Sequence, residues 1–253
     1  MIPSLKSEFR KLLTARSTFG ISIFFLVLLG VVSFYGQGYQ AIPKDLNSLF
    51  FAGSLTAVAN ITSIAGALIA LLLMAYEYRY NTISYTLTSS NSRSKVLASK
   101  ILTVAGFVFV WAAIATALFL ILLFAGVLAG GHSLPHQDIN YLTFFAKSIF
   151  FCEAYAMAGL LIGTLVRSMP AAIVILLIVP NTLEQLIGAF LVKHPEKWLP
   201  FMSLSHVVDP AVIPSGEQAT NLISPLRGAV TFLVYIVIGW AIGWYLFLRR
   251  DAN

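Results

Sequence analysis

The sequence predicts an all-α integral membrane protein with six transmembrane helices, and three observations carry that reading. Between Arg16 and Arg249 lie six long apolar stretches with almost no charge inside them. Each holds the roughly 20 residues that a helix needs to cross a hydrocarbon core of about 30 Å. Of 253 residues, 58% are hydrophobic and only 10% charged, with a mean hydropathy of +0.86. Soluble domains carry about 25% charged residues, so a soluble fold is excluded. Finally, the basic residues crowd into every second gap between the apolar stretches.

Taken in order, residues 1–16 read as an amphipathic interfacial helix. Ile2, Leu5, Phe9, Leu12 and Leu13 recur at helical spacing, Lys6, Ser7, Arg10 and Lys11 fill the other side, and Pro3 suits a first turn. The first span, about 17–36, is retained rather than cleaved. It is longer than a signal-peptide core, and Phe34-Tyr35-Gly36-Gln37 offers no small-x-small cleavage pattern. Spans two and three, about 48–76 and 101–130, are long enough to reach roughly 45 Å and extend as a stalk beyond the bilayer. The remaining spans are about 146–166, 169–191 and 227–248. They fill residues 1–253 as a single membrane domain, with no room for a soluble catalytic domain. The single cysteine, Cys152, falls inside the fourth span, so no intramolecular disulfide forms.

Charge sets orientation. Eleven Lys and Arg residues fall on the side that holds both termini, and Lys44, Lys147, Lys193, Lys197 and Arg227 fall on the other. The positive-inside rule then places both termini in the cytoplasm of a cell membrane. The net charge of +6 is mostly this bias and gives no sign of nucleic acid; basic residues at the inner face also suit anionic lipid.

Two connections are patterned. In the 77–100 loop, Ile83 and Leu87 share one face of a short helix that Asn81 or Thr82 can cap and that the polar run Ser89–Ser92 ends. That helix has no evident core of its own, which leaves Ile83 and Leu87 for a partner protein to cover, with Glu77 and Arg93 flanking. A hairpin tip packing on its own neighbours is the alternative. The outer segment 193–225 holds five of the ten prolines around Trp198-Leu199-Pro200-Phe201-Met202, too apolar for a free loop. It reads as a re-entrant or surface-lying segment anchored by Trp198.

No phosphate-binding loop of the G-x-x-x-x-G-K-[ST] type occurs, so ATP is not bound here by that mechanism. His132, His136, His194 and His206 all fall in outer segments; Pro135 interrupts the one helical pair, and no metal site is assigned. Two carboxylates, Glu153 and Glu184, lie at membrane depth on tightly joined spans. They suit either a polar spot in a transport path or static glue between helices, the latter favoured because Pro180-Asn181 demands local polar repair next to Glu184. Gly159-x-x-x-Gly163 and Gly239-x-x-x-Gly243 allow close helix approach, within the chain or between copies.

The whole pattern resembles the membrane-spanning permease subunits of ABC transporters, ABC-2 type. Ser7-Glu8-Phe9-Arg10-Lys11-Leu12 with Arg16-Ser17-Thr18 is similar to their opening. Glu77-Tyr-Arg79-Tyr-Asn81-Thr82-Ile83 with Leu87, Arg93 and Val96-Leu97-Ala98-Ser99-Lys100 is similar to their coupling loop, and Trp198-Leu199-Pro200-Phe201 to an outer segment. Asn81 stands where that family usually has glycine. The resemblance implies a coupling helix in which Glu77, Thr82, Ile83, Leu87 and Arg93 meet an ATP-binding subunit. It further implies two such subunits holding ATP and Mg, a second identical or related permease, no catalysis in this chain, and export of a hydrophobic or amphipathic compound such as a drug, lipid or antimicrobial peptide. The rival readings are a self-sufficient secondary transporter or channel working through Glu153 and Glu184, or a polytopic membrane enzyme or assembly factor.

Overall fold

In lipid a backbone must satisfy its own polar groups, and the six apolar runs do so as helices. The computed structural model describes residues 2–40, 48–89, 92–132, 140–191, 194–208 and 224–249. Every element among them is helical, and six helices are long and apolar enough to cross a membrane.

Helix α1 (Ile2–Thr14) ends at an extended elbow, Ala15 (φ −72°, ψ 120°). Helix α2 (Arg16–Val31) continues as a π-helix over Val32–Tyr39. Then come α3 (Ser48–Arg79), the short α4 (Ile83–Ser89), α5 (Arg93–Ala129) and α6 (Tyr141–Leu165). The fifth span is composite, with α7 (Met169–Ile178), a π turn (Val179–Leu183) and α8 (Glu184–Phe190). Two short helices follow, α9 (Pro195–Trp198) and α10 (Pro200–Val208), and α11 (Pro225–Arg249) closes the described chain.

Several helices start earlier than their apolar stretch. Helix α5 begins at Arg93 rather than 101, because the Ser92 hydroxyl accepts the Lys95 N–H at 3.2 Å and caps it. Helix α6 begins at Tyr141 rather than 146, with the Asn140 side chain accepting the Thr143 N–H at 3.0 Å. At 1.5 Å per residue, α3 with 32 residues and α5 with 37 extend about 48 and 55 Å.

The centre of the bundle is α3 packed along α6, with α5 against both. Glycine makes that approach possible: a Cβ at Gly159 would fall on the Ala67 carbonyl of α3, and one at Gly163 would lie 2.8 Å from the Leu71 carbonyl. Gly239 and Gly243 of α11 face the Leu161 side chain of α6. Both glycine motifs therefore pack within the chain. A third pair, Gly126 on α5 and Gly130 capping its C-terminus, escaped the sequence reading; it seats against the Phe34 and Tyr39 carbonyls of the π-helical end of α2. Cys152 is buried at this centre, its Sγ 3.5 Å from the Thr62 carbonyl. At the periphery, α2, the fifth span and α11 expose large apolar residues such as Phe24, Phe190 and Val237, as helices facing lipid do.

The proline-rich outer segment folds more than expected. Pro195 and Pro200 each open a helix, a position where the missing N–H costs nothing. Helix α10 buries Ser203, Leu204, Val207 and Val208 against α6 and α11, and the Ser203 carbonyl lies where Gly228 leaves room. Trp198 stays exposed beside it. Residues 209–223 of this segment, and His136, lie outside the described residues.

Candidate coupling site

The α3–α5 hairpin carries most of the residues that sequence reasoning singled out. Helix α3 ends at Arg79 and leads into a turn at residues 80–82, where Asn81 takes φ 52°. Asparagine enters that left-handed region more readily than other residues with a side chain, which explains how it stands in for glycine here. Thr82 is exposed at the start of α4, and its carbonyl accepts the Thr86 N–H at 3.1 Å.

Below this turn sits a four-charge cluster joining three helices. Glu77 on α3 is 5% exposed, and its Oε1 accepts from Lys11 Nζ of α1 at 2.6 Å while lying 2.8 Å from Lys100 Nζ of α5. Glu8 of α1 completes the ring, with Oε1 2.5 Å from Lys11 and Oε2 2.8 Å from Lys100. Lys100 is 0% exposed. Two carboxylates and two ammonium groups balance, so the low-dielectric site holds no net charge. Burial alone would raise the Glu8 carboxyl, but Lys100 and Lys11 more than offset it and hold it below its usual range. For Lys11, burial works downward and the Glu77 and Glu8 carboxylates outweigh it, so its ammonium is held above its usual range.

Glu77 was expected to flank the hairpin and pair with partner or neighbouring charges; its partners lie in this chain. Glu8 and Lys100 were missed as a site. In the sequence Glu8 stands out only within the stretch that resembles the family's opening, and Lys100 only as one of the basic residues of the 77–100 loop.

Ile83 requires a correction. The short helix was expected to lack a core, yet Ile83 is 4% exposed within the chain's own hydrophobic core, and Leu87 is half-buried against it. The long α3 and α5 continue far enough to seat α4 themselves. What α4 and its turn present outward is Tyr80, 63% exposed, and Tyr85, 76% exposed. Arg93 donates from Nη1 to the Leu248 carbonyl at 3.3 Å, tying the start of α5 to the end of α11. Arg79 Nη1 reaches Met169 Sδ at 3.6 Å. The N-terminal helix, the hairpin, the turn before α7 and the end of α11 thus gather at one end of the bundle.

The two deep glutamates take separate roles. Glu184 is buried, and its carboxylate accepts the N–H groups of Phe201 (3.2 Å) and Met202 (2.9 Å), capping the first turn of α10. Local polar repair is present too: Asn181 Nδ2 donates to the Leu177 carbonyl at 2.9 Å within the π turn. Glu153 is half-buried on α6 and makes no hydrogen bond or ion pair with another described residue.

Comparison with known proteins now bears on this arrangement. An "Uncharacterized membrane protein YdbK" of Bacillus subtilis (strain 168) is 26% identical over 224 residues, covering 85% of this chain and 83% of that protein. The family model described as "ABC-2 family transporter protein" matches residues 2–252. With that match running the length of a six-span helical bundle, the chain belongs to the ABC-2 family of transporter proteins.

Proposed function

We propose that this chain is the permease subunit of an ATP-driven exporter, with hydrolysis carried out by two copies of a separate subunit that holds ATP and Mg. A second identical or related permease completes the pathway, and the cargo is a hydrophobic or amphipathic compound. The family implies the ATP-binding partner. The single observation that best supports coupling is the closed ion ring of Glu8, Lys11, Glu77 and Lys100. It clamps α1 to both arms of the hairpin, so a push on the α4 tip would move α1, α3 and α5 together. Continuous helices transmit such a push without bending, which suits alternating access. In this reading Ile83 and Leu87 seat α4 on its stalk, Thr82 starts it, and Arg93 sets its angle against α11. The contacting surface is the exposed pair Tyr80 and Tyr85, a residue type that dominates interface energetics. The basic bias of the hairpin end supports a cytoplasmic position for it. Helices α9 and α10 would cap the outer end.

The decisive experiment pairs two double variants. Tyr80→Ala/Tyr85→Ala should insert and melt normally, yet lose association with the ATP-binding subunit by at least about tenfold. Ile83→Ala/Leu87→Ala should lower stability as a core truncation does. Full transport by a correctly inserted tyrosine double variant would defeat the coupling assignment. Orientation is checked separately: cysteine placed at Ser133 or Ser215 should react with an impermeant reagent from outside, and cysteine at Ser90 should not.

A further inference from the structure

A cavity of about 660 Å³ opens at the hairpin end, between the α1–α2 elbow and the last turns of α3 with α4. That volume lies within the range of about 300–1,000 Å³ typical of small-molecule sites, which are mostly apolar and aromatic with a few polar groups. Its lining grades with depth. Leu12, Leu72 and Leu73 are buried and form an apolar floor. Tyr76 is half-buried and stands one helical turn before Tyr80. Tyr80 and Tyr85 are exposed and, with Thr82, border the mouth.

The aromatic wall is already built within the chain. Tyr76 and Tyr80 stack with ring centroids 5.9 Å apart and planes 28° from parallel. Tyr85 brings a third ring from a separate element, α4. Aromatic pairs gain more than the area they bury would give. Three tyrosines above an aliphatic floor therefore favour a flat aromatic guest over a saturated one of equal size. The phenol and threonine hydroxyls at the mouth suit a polar substituent that points outward.

Charge narrows the class of guest. Glu77 lines the cavity, but Lys11 and Lys100 already neutralise it, and its second carboxylate oxygen is buried. It offers nothing to a cation. Lys11 and Arg16 line the cavity as well, so the charged groups around it carry a net positive charge. A cationic guest would meet repulsion there, and no free carboxylate among the described lining residues would offset it; a neutral or anionic guest meets no such cost.

We propose that this cavity is a binding site for planar aromatic compounds that carry no positive charge. The ring system lies between the leucine floor and Tyr76, Tyr80 and Tyr85, with its polar end at the mouth. Binding of this kind needs only the fold of this chain, not an ATP-hydrolysing partner. Its failure would therefore leave the proposed coupling standing, and the reverse holds too.

The test is isothermal titration calorimetry of the full chain in phosphatidylcholine nanodiscs, with empty nanodiscs subtracted. The probes are naphthol, naphthoate, naphthylmethylammonium and decahydronaphthol, the saturated counterpart of naphthol. Naphthol and naphthoate should each bind at least about fivefold more tightly than the ammonium. Naphthol should also exceed decahydronaphthol by at least about fivefold, the scale of two ring contacts. Ala15→Phe, which fills the elbow side of the cavity, should abolish naphthol binding with thermal unfolding unchanged. Tyr76→Phe keeps the ring and should keep binding, whereas Tyr76→Leu should bring naphthol and decahydronaphthol within about twofold of each other. Equal binding of naphthol and decahydronaphthol by the native chain, or naphthol binding that Ala15→Phe leaves unchanged, would mean partitioning onto apolar surface and overturn the proposal. So would equal or tighter binding of the ammonium, or no binding beyond that of empty nanodiscs.

Discussion

Two buried carboxylate sites at different places in the bundle solve the same problem by opposite means. In the ion ring, Glu8 and Glu77 are neutralised by Lys11 and Lys100, with partners up to 92 residues away in the chain. At the α10 cap, the partners of Glu184 among the described residues are dipoles, two backbone N–H groups 17 and 18 residues along. Charge pairing across three helices gives a closed, stiff joint that fails if any member leaves. Dipole capping binds one short helix to one span and can be released without stranding a countercharge. Under the proposed coupling, the contrast assigns rigidity to the hairpin end, where three helices are clamped together, and a releasable latch to the outer end, where one short helix is held by a single cap.

The sharpest way to break that contrast is Lys100→Met. It leaves the two buried carboxylates, Glu8 and Glu77, sharing the half-exposed Lys11 ammonium, and removal of one partner from a buried pair costs about 3–5 kcal/mol. Thermal unfolding in detergent or nanodiscs should show a large loss, much of it recovered by adding Glu8→Gln. A silent Lys100→Met variant would mean that the ring is not a clamp.

A smaller effect is expected at the cap. Glu184→Leu strands two first-turn N–H groups and should cost about 2–3 kcal/mol, while Glu184→Gln keeps an acceptor and loses less. Faster hydrogen exchange at Phe201 and Met202 in the Leu variant, with α3 and α5 unaffected, would sharpen the distinction between latch and clamp. Exchange rising equally across the hairpin would erase it.

The mildest test is pH. Glu8 titrates below its ordinary value of 4.5 when folded, so its contribution is complete above pH 4.5 and is lost as pH falls through the lowered value. Lys11 titrates above its ordinary 10.5, so its contribution is complete below pH 10.5 and disappears as pH rises through the raised value. Stability attributable to the ring should therefore be flat between these limits, and Glu8→Gln should remove the acid-side loss.

How legible these features are in the sequence depends on their range. A run of twenty apolar residues has one favourable arrangement in lipid, so the spans announce themselves. Hydropathy marks the edge of the membrane, though, not the end of a helix, and Lys95 and Lys100 hide the fact that α5 already starts at Arg93. The ion ring is unreadable because its members share no periodicity. Ile83 misleads for a related reason: a seven-residue helix shows which residues share a face but not what that face meets. The Gly126–Gly130 contact, by contrast, is written in the same small-residue spacing as Gly159–Gly163 and was open to reading. Glu184 lies between these cases, since Pro180-Asn181 signals local repair but nothing signals a cap on a distant helix.

The π turn at Val179–Leu183 also acts as a phase shifter. One helical residue corresponds to about 100° of rotation, and a π turn carries one residue more than the α-helix around it would need. The extra residue sets the angular position of everything after it, and so brings Glu184 inward to the start of α10. Deleting Pro180 would remove both the extra residue and the helix-interrupting proline, leaving an α-helix of nearly the same length and apolarity. It would also turn Glu184 by about a quarter of a revolution, toward lipid, and the Phe190 edge away from it. Insertion of the span would be preserved while the faces beyond the deletion turned by about 100° relative to the bundle, so this segment tolerates substitution far better than it tolerates a change in residue count.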